Sequence, residues 1–158
     1  MRIMTSYFYM VRFFKPWMIP LSTAVWDPKW YRKNKRPYID KNGVLNGLRD
    51  HHFVPGKSCD GLCRGQPCKY TPDKCKFLKA YKKQLDKIDF NAYMEYMKRK
   101  SVECKHGLKL LHEPIFVLIV YETPKTNCSE RVMIHRWFRE HGYPIEELDP
   151  RAYREGAC

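Results

Sequence analysis

The sequence predicts an α/β fold, a mostly parallel sheet with helical cover, formed as one domain over residues 1–158. Three observations predict it. The run Pro114–Tyr121 (PIFVLIVY) is continuous, apolar and β-branched, the composition of a strand buried on both faces of a parallel sheet. Strand-like runs alternate with segments of helical periodicity, which argues for helices crossing over a sheet. With 44% hydrophobic and 15% aromatic residues, the 158-residue chain has enough apolar mass for one core.

In chain order, Arg2–Ser6 reads as a first strand ending in the hydroxyls Thr5 and Ser6. Tyr7–Phe14 is apolar at nearly every position and either continues that strand or forms a loop packed on the core. Met18–Val25 reads as a second buried strand, and Pro20 inside it favours an edge or a bulge. Asp27-Pro28 reads as a helix start, with Asp27 as N-cap and Pro28 in the first turn. Asn42-Gly43 and Asn46-Gly47 are turn signals. Cys75–Lys100 is helical: Phe77, Leu78, Tyr81, Leu85 and Ile88 share one face, and Asp89 caps a second helix. Cys128–His141 reads as a helix with Ser129 or Asn127 as cap, its apolar side made by Ile134, Trp137, Phe138 and His141, with Gly142 closing it. Tyr143–Leu148 reads as a last short strand. The longest apolar run falls far short of the roughly 20 residues that span a bilayer, so no membrane segment is expected.

The net charge of +13 implies a polyanionic partner: nucleic acid, a nucleotide, an acidic protein face or anionic lipid. The segment Trp26–Lys41 concentrates that charge among aromatics. Lys29, Trp30, Arg32, Lys33, Lys35 and Arg36 suit single-stranded nucleic acid, by base stacking and phosphate contacts. Arg64 and Lys69 extend the basic surface.

Seven cysteines without a secretory signal fit a reducing cytoplasm, where clustered thiols mean metal. Four of them, Cys59, Cys63, Cys68 and Cys75, are spaced C-x3-C-x4-C-x6-C among glycines and prolines, so residues 57–76 are expected to form a metal-binding loop. Four thiolates meet the tetrahedral demand of Zn2+, with a [4Fe-4S] cluster as the alternative. His51 and His52 are alternative ligands. A site with all four positions filled shapes the loop and performs no chemistry.

A second candidate site lies where the strongest strand meets the next helix. Ligands sit outside the carboxyl ends of strands in open α/β sheets, and a helix N-terminus there favours anions. Glu122 is a candidate base or nucleophile beside Tyr121. Ser129 and Arg131 are candidate anion-binding groups, and Cys128 is a candidate reactive thiol. Thr5 and Ser6 reach the same edge if the two strands are parallel neighbours.

The run VLIVYETPKTNCSERVMIHRWFREHGY resembles the C-terminal signature of the family called domain of unknown function 488, found in bacteria and phages. In that family a strand ends in Tyr-Glu and a Cys-His-Arg motif opens the next helix. TSYF near the N-terminus and the run GLCRGQPCKYTPDKCKFLKAYKKQLDKIDF look like that family's phage-type members with a cysteine-rich insert. The resemblance implies a Rossmann-like fold and carries over to Tyr121, Glu122, Cys128, Arg131, Thr5 and Ser6. This chain has Ser129-Glu130 where the family's histidine is expected, so no Cys–His pair is expected here.

The first functional expectation is a metal-stabilised basic protein that binds nucleic acid or nucleotides. The second is an enzyme on nucleosides, nucleotides or DNA bases acting through Glu122 and Arg131. The third is a phage protein that binds an acidic host factor.

Overall fold

The computed structural model describes residues 1–62, 71–126 and 128–153. Strand β1 (Arg2–Tyr7) leads into a 3-10 helix, Phe8–Phe13, and then into β2 (Met18–Ser22). A short 3-10 turn, Lys29–Tyr31, precedes an antiparallel hairpin of β3 (Tyr38–Ile39) and β4 (Leu45–Asn46). Helices α1 (Lys76–Asp86) and α2 (Phe90–Gly107) follow, then β5 (Ile115–Val120), α3 (Glu130–Glu140) and β6 (Glu146–Glu147).

The main sheet is entirely parallel, in the order β2-β5-β1-β6. This is the α/β architecture expected from β5, whose six residues are all buried in the centre of the sheet. Pro20 sits in β2 at the sheet edge and stays in register opposite Val117 without a bulge.

Right-handed crossovers fix where the cover lies. The chain moves one way across the sheet from β1 to β2, and the opposite way from β2 to β5 and from β5 to β6. The connections therefore fall on opposite faces. Ile3, Ile19, Leu21, Phe116, Leu118 and Val120 pack against the three α-helices. Met4, Met18, Ile115, Val117 and Ile119 pack against Phe8, Met10, Val11, Phe14, Tyr31 and Val44. Helical cover in the α sense is thus confined to one face. Aromatic 3-10 and loop segments cover the other.

Three local expectations are corrected. Tyr7–Phe14 is neither strand nor loop beyond Tyr7; it turns into the 3-10 helix, burying Phe8, Met10 and Val11. Asp27 does not cap a helix. Its carboxylate accepts from the Ser22 hydroxyl and pairs with Arg49 at 3.1 Å, tying the end of β2 to residues 48–50. The last strand shrinks to two residues. The caps read for the long helices hold: Asp89 accepts from Ala92 N at 2.8 Å, and Ser129 Oγ accepts from Arg131 N at 3.2 Å. Gly142 closes α3 with φ 73°, a left-handed backbone that favours glycine. Among the described residues no helix is long and apolar enough to cross a membrane.

Candidate functional site

The connections after β1 and β5 leave toward opposite faces, so the carboxyl ends of these neighbours form the switch point where an open α/β sheet binds ligands. Ser6 pairs with Ile119 and Tyr7 with Val120 in register, so Tyr121 and Glu122 emerge beside the end of β1.

Glu122 is half-buried and shares a hydrogen bond with Glu130, the first residue of α3. Burial and the neighbouring Glu122 charge push the Glu130 carboxyl up to about 7. Both effects favour the protonated form of the Glu130 carboxyl. Ser129 Oγ donates to Glu122 Oε2 at 3.2 Å. Both carboxyls line a cavity of about 250 Å3 together with Thr23, Trp26, Phe77 and Tyr121. The Tyr121 hydroxyl donates to the Trp26 carbonyl at 2.5 Å, which fixes the loop after β2 against the end of β5.

Arg131 is 7% exposed and is held within the fold. Its Nε donates to Glu147 Oε2 at 2.8 Å and its Nη2 to the Glu122 carbonyl at 2.8 Å; Nη1 is buried without a partner among the described residues. Its placement is that of a group positioning Glu122, not of an open anion clamp. Thr5 is fully buried and reaches Glu122 only through this chain of contacts. Its hydroxyl donates to Glu147 Oε2 at 2.6 Å and lies 2.6 Å from His135 Nε2. Burial and the charges of Arg131 and Arg139 push His135 down to about 4. The imidazole is therefore neutral near pH 7, and its Nε2–H donates to Thr5, whose own proton goes to Glu147. Burial raises the Glu147 carboxyl, against the lowering effects of Thr5 and Arg131. Ser6 turns to the other face and donates to the Leu148 carbonyl at 3.3 Å, away from Glu122.

Sequence reasoning missed Glu130, His135 and Glu147. Glu130 carried a usable signal, an acid in the first turn of a helix that starts beside a candidate carboxylate. His135 and Glu147 carried none, since they meet through Thr5, which lies 130 residues from the one and 142 from the other in the chain.

Cys128 is buried, with its Sγ 3.5 Å from Cys75 Sγ. Cys59 is also buried, but its thiol meets Gln84 Oε1 and Ser58 Oγ, each at 3.9 Å. Cys63, Cys68, Arg64 and Lys69 lie outside the described residues. Among the described residues no three His, Cys, Asp or Glu groups gather closely enough to hold a metal ion.

The basic segment forms one wall of a larger groove, about 770 Å3, between the Phe8–Phe13 turn and the β3–β4 hairpin. Arg12, Lys33 and Lys41 line it with Phe13, Trp30 and Tyr38. Lys33 Nζ sits 4.6 Å from the centre of the Tyr38 ring, a cation–π contact. Lys29, Lys35 and Arg36 are exposed beside it, while Arg32 folds back to the Lys35 carbonyl at 2.6 Å. Phe8 links the groove to the smaller cavity: its ring is 6.2 Å from Trp30 and 4.7 Å from Tyr121. No family model, curated protein or solved structure matches this chain.

Proposed function

We propose that the protein binds single-stranded nucleic acid or nucleotides along the groove between the Phe8–Phe13 turn and the β3–β4 hairpin. The observation that carries this reading is the composition of that groove: three cations, Arg12, Lys33 and Lys41, set among Phe13, Trp30 and Tyr38 in a chain of net charge +13. Aromatic faces stack on any base and cations meet the phosphates, the combination used for single strands. Asp40 is the one acid in the lining. It is engaged by the backbone N–H groups of Asn42 and Val44 and by Asn46 Nδ2, which turns its carboxylate toward the hairpin.

The test is the fluorescence anisotropy of a labelled single-stranded oligonucleotide. Affinity falls on the order of tenfold to a hundredfold between 50 and 200 mM salt if about three to five phosphates are contacted, and it falls again in Trp30→Ala and in Lys33→Ala. Salt-independent affinity, or affinity untouched by both variants, overturns the reading.

The proposal includes a structural metal in a reducing cytoplasm. Cys75 and Cys128 support it, because tetrahedral thiolates at the usual zinc bond length place neighbouring sulfurs about 3.8 Å apart, close to the 3.5 Å between these two. Their soft donors would hold Zn2+, or a [4Fe-4S] cluster as the alternative. When bound, the group supplies a cross-link between the starts of α1 and α3 and no reaction step. The position of Tyr121, Glu122, Cys128 and Arg131 around one strand end supports kinship with the domain of unknown function 488 family.

A second reading, an enzyme on nucleosides or nucleotides, is favoured by the hydrogen-bonded Glu122–Glu130 pair. There Glu130 supplies the proton and Glu122 acts as base or nucleophile. Release of free base from nucleosides, followed by chromatography and abolished in Glu122→Gln, tests it.

A further inference from the structure

The cavity at the carboxyl ends of β2 and β5 differs in character from the basic groove. At about 250 Å3 it lies below the roughly 300–1,000 Å3 usual for drug-sized ligands, so it holds a single ring system and not a whole nucleotide. Its lining is aromatic and acidic: Trp26, Phe77 and Tyr121 with Glu122 and Glu130. Trp26 is 81% exposed and Tyr121 51%, so both present open ring surface at the mouth. Exposed aromatics of this kind are stacking platforms for bases. The two carboxyls repel phosphate, and the cations that attract phosphate lie beyond Phe8 in the groove. A neutral base inside with its phosphates outside satisfies both regions.

We propose that this cavity takes one unpaired nucleobase and that the Glu122–Glu130 pair recognises the base's exocyclic amino group. The proposal rests on the nucleotide-binding reading above. Its selectivity follows from counting donors and acceptors. Both carboxyls line the cavity, so their oxygens offer it several acceptor positions side by side. Adenine, cytosine and guanine each carry an amino group that donates to such acceptors. Uracil and thymine carry no amino group; their N3–H supplies one donor where an amino group supplies two, so only one of the two carboxyls is met. Ser129 Oγ donates to Glu122 Oε2, and Arg131 Nη2 holds the Glu122 carbonyl, so the carboxylate is fixed before any ligand arrives. That preorganisation turns a mismatched edge into lost affinity.

Calorimetric titration of the full chain with nucleosides tests this. Adenosine, cytidine or guanosine binds at least about tenfold more tightly than uridine and thymidine, and the ratio collapses in Glu130→Gln and in Glu122→Gln. Glu130→Asp, which keeps the carboxyl, restores part of it. Equal affinity for all five nucleosides overturns the proposal, as does a preference that survives both Gln variants. The two readings fail separately. Salt-dependent oligonucleotide binding with no nucleoside binding sinks the base pocket and leaves the groove. Selective nucleoside binding with no oligonucleotide binding sinks the groove and leaves the pocket.

Discussion

Glu130 and His135 both stand on α3 and are shifted in opposite senses, which gives them opposite effects on stability. Glu130 is raised to about 7, so between the ordinary carboxyl range and pH 7 the folded protein holds a proton that the unfolded chain has lost. Its contribution to stability therefore falls as pH rises through that window. Glu122 and Arg131 face it from the strand end and from α3, and Tyr81 and Cys59 from the α1 side. His135 is lowered to about 4, so between pH 4 and 6.5 it is the unfolded chain that holds the extra proton. Its contribution rises with pH. The two slopes oppose each other from about pH 4.5 to 6.5. Chemical denaturation across that range checks the sign: relative to wild type, Glu130→Gln gives a stability that climbs with pH, and His135→Gln one that declines. Identical slopes in all three proteins contradict the assignment. None of this was legible from residue order. Arg131 was readable as a cation beside Glu122, but the sequence does not show that its guanidinium is spent on Glu147, because tertiary packing alone brings β6 against α3.

At the scale of elements, what could be read depended on period. α1 and α3 repeat their apolar residues at helical spacing, and the structure buries Leu78, Tyr81 and Leu85 of one and Ile134, Trp137 and Phe138 of the other. β5 was legible because it is long, apolar and central. Tyr7–Phe14 has no period to read, being apolar on every side, and its path is set by the need to cover the sheet face opposite the α-helices. The meeting of helix starts was also hidden: Cys75 caps α1 and Cys128 precedes Ser129, the cap of α3, so helix packing brings the two sulfurs to 3.5 Å. Sequence clustering alone grouped Cys75 with Cys59. The metal proposal then makes a discriminating prediction. Elemental analysis of protein purified under anaerobic conditions finds bound zinc or iron, and Cys128→Ser lowers that content and the melting temperature more than Cys59→Ser does. Metal retained in Cys128→Ser and lost in Cys59→Ser restores the grouping read from the sequence.

For the whole molecule, the informative feature is that one aromatic side chain joins its two candidate binding regions. Phe8 follows directly on β1 at the switch point, is 5% exposed, and contacts Trp30, Tyr31 and Tyr121. Trp30 belongs to the basic groove and Tyr121 to the acidic cavity. Under the proposed nucleotide-binding reading, a net charge of +13 would draw a polyanion to the surface without deciding where along it a base is received. On that reading the sheet would decide it, by sending the connections after β1 and β5 to opposite faces and leaving Phe8 between them. Removing the ring in Phe8→Ala opens a void in the core and costs about 3–5 kcal/mol of stability, read by denaturant unfolding. Phe8→Leu keeps most of the apolar volume and forfeits the ring contacts, at a smaller cost of about 1 kcal/mol. Because Trp30 and Tyr121 both lean on this ring, Phe8→Leu weakens oligonucleotide binding and nucleoside binding together in a protein that remains folded by circular dichroism. A loss confined to one ligand shows that the two regions are positioned independently and that the ring serves only packing.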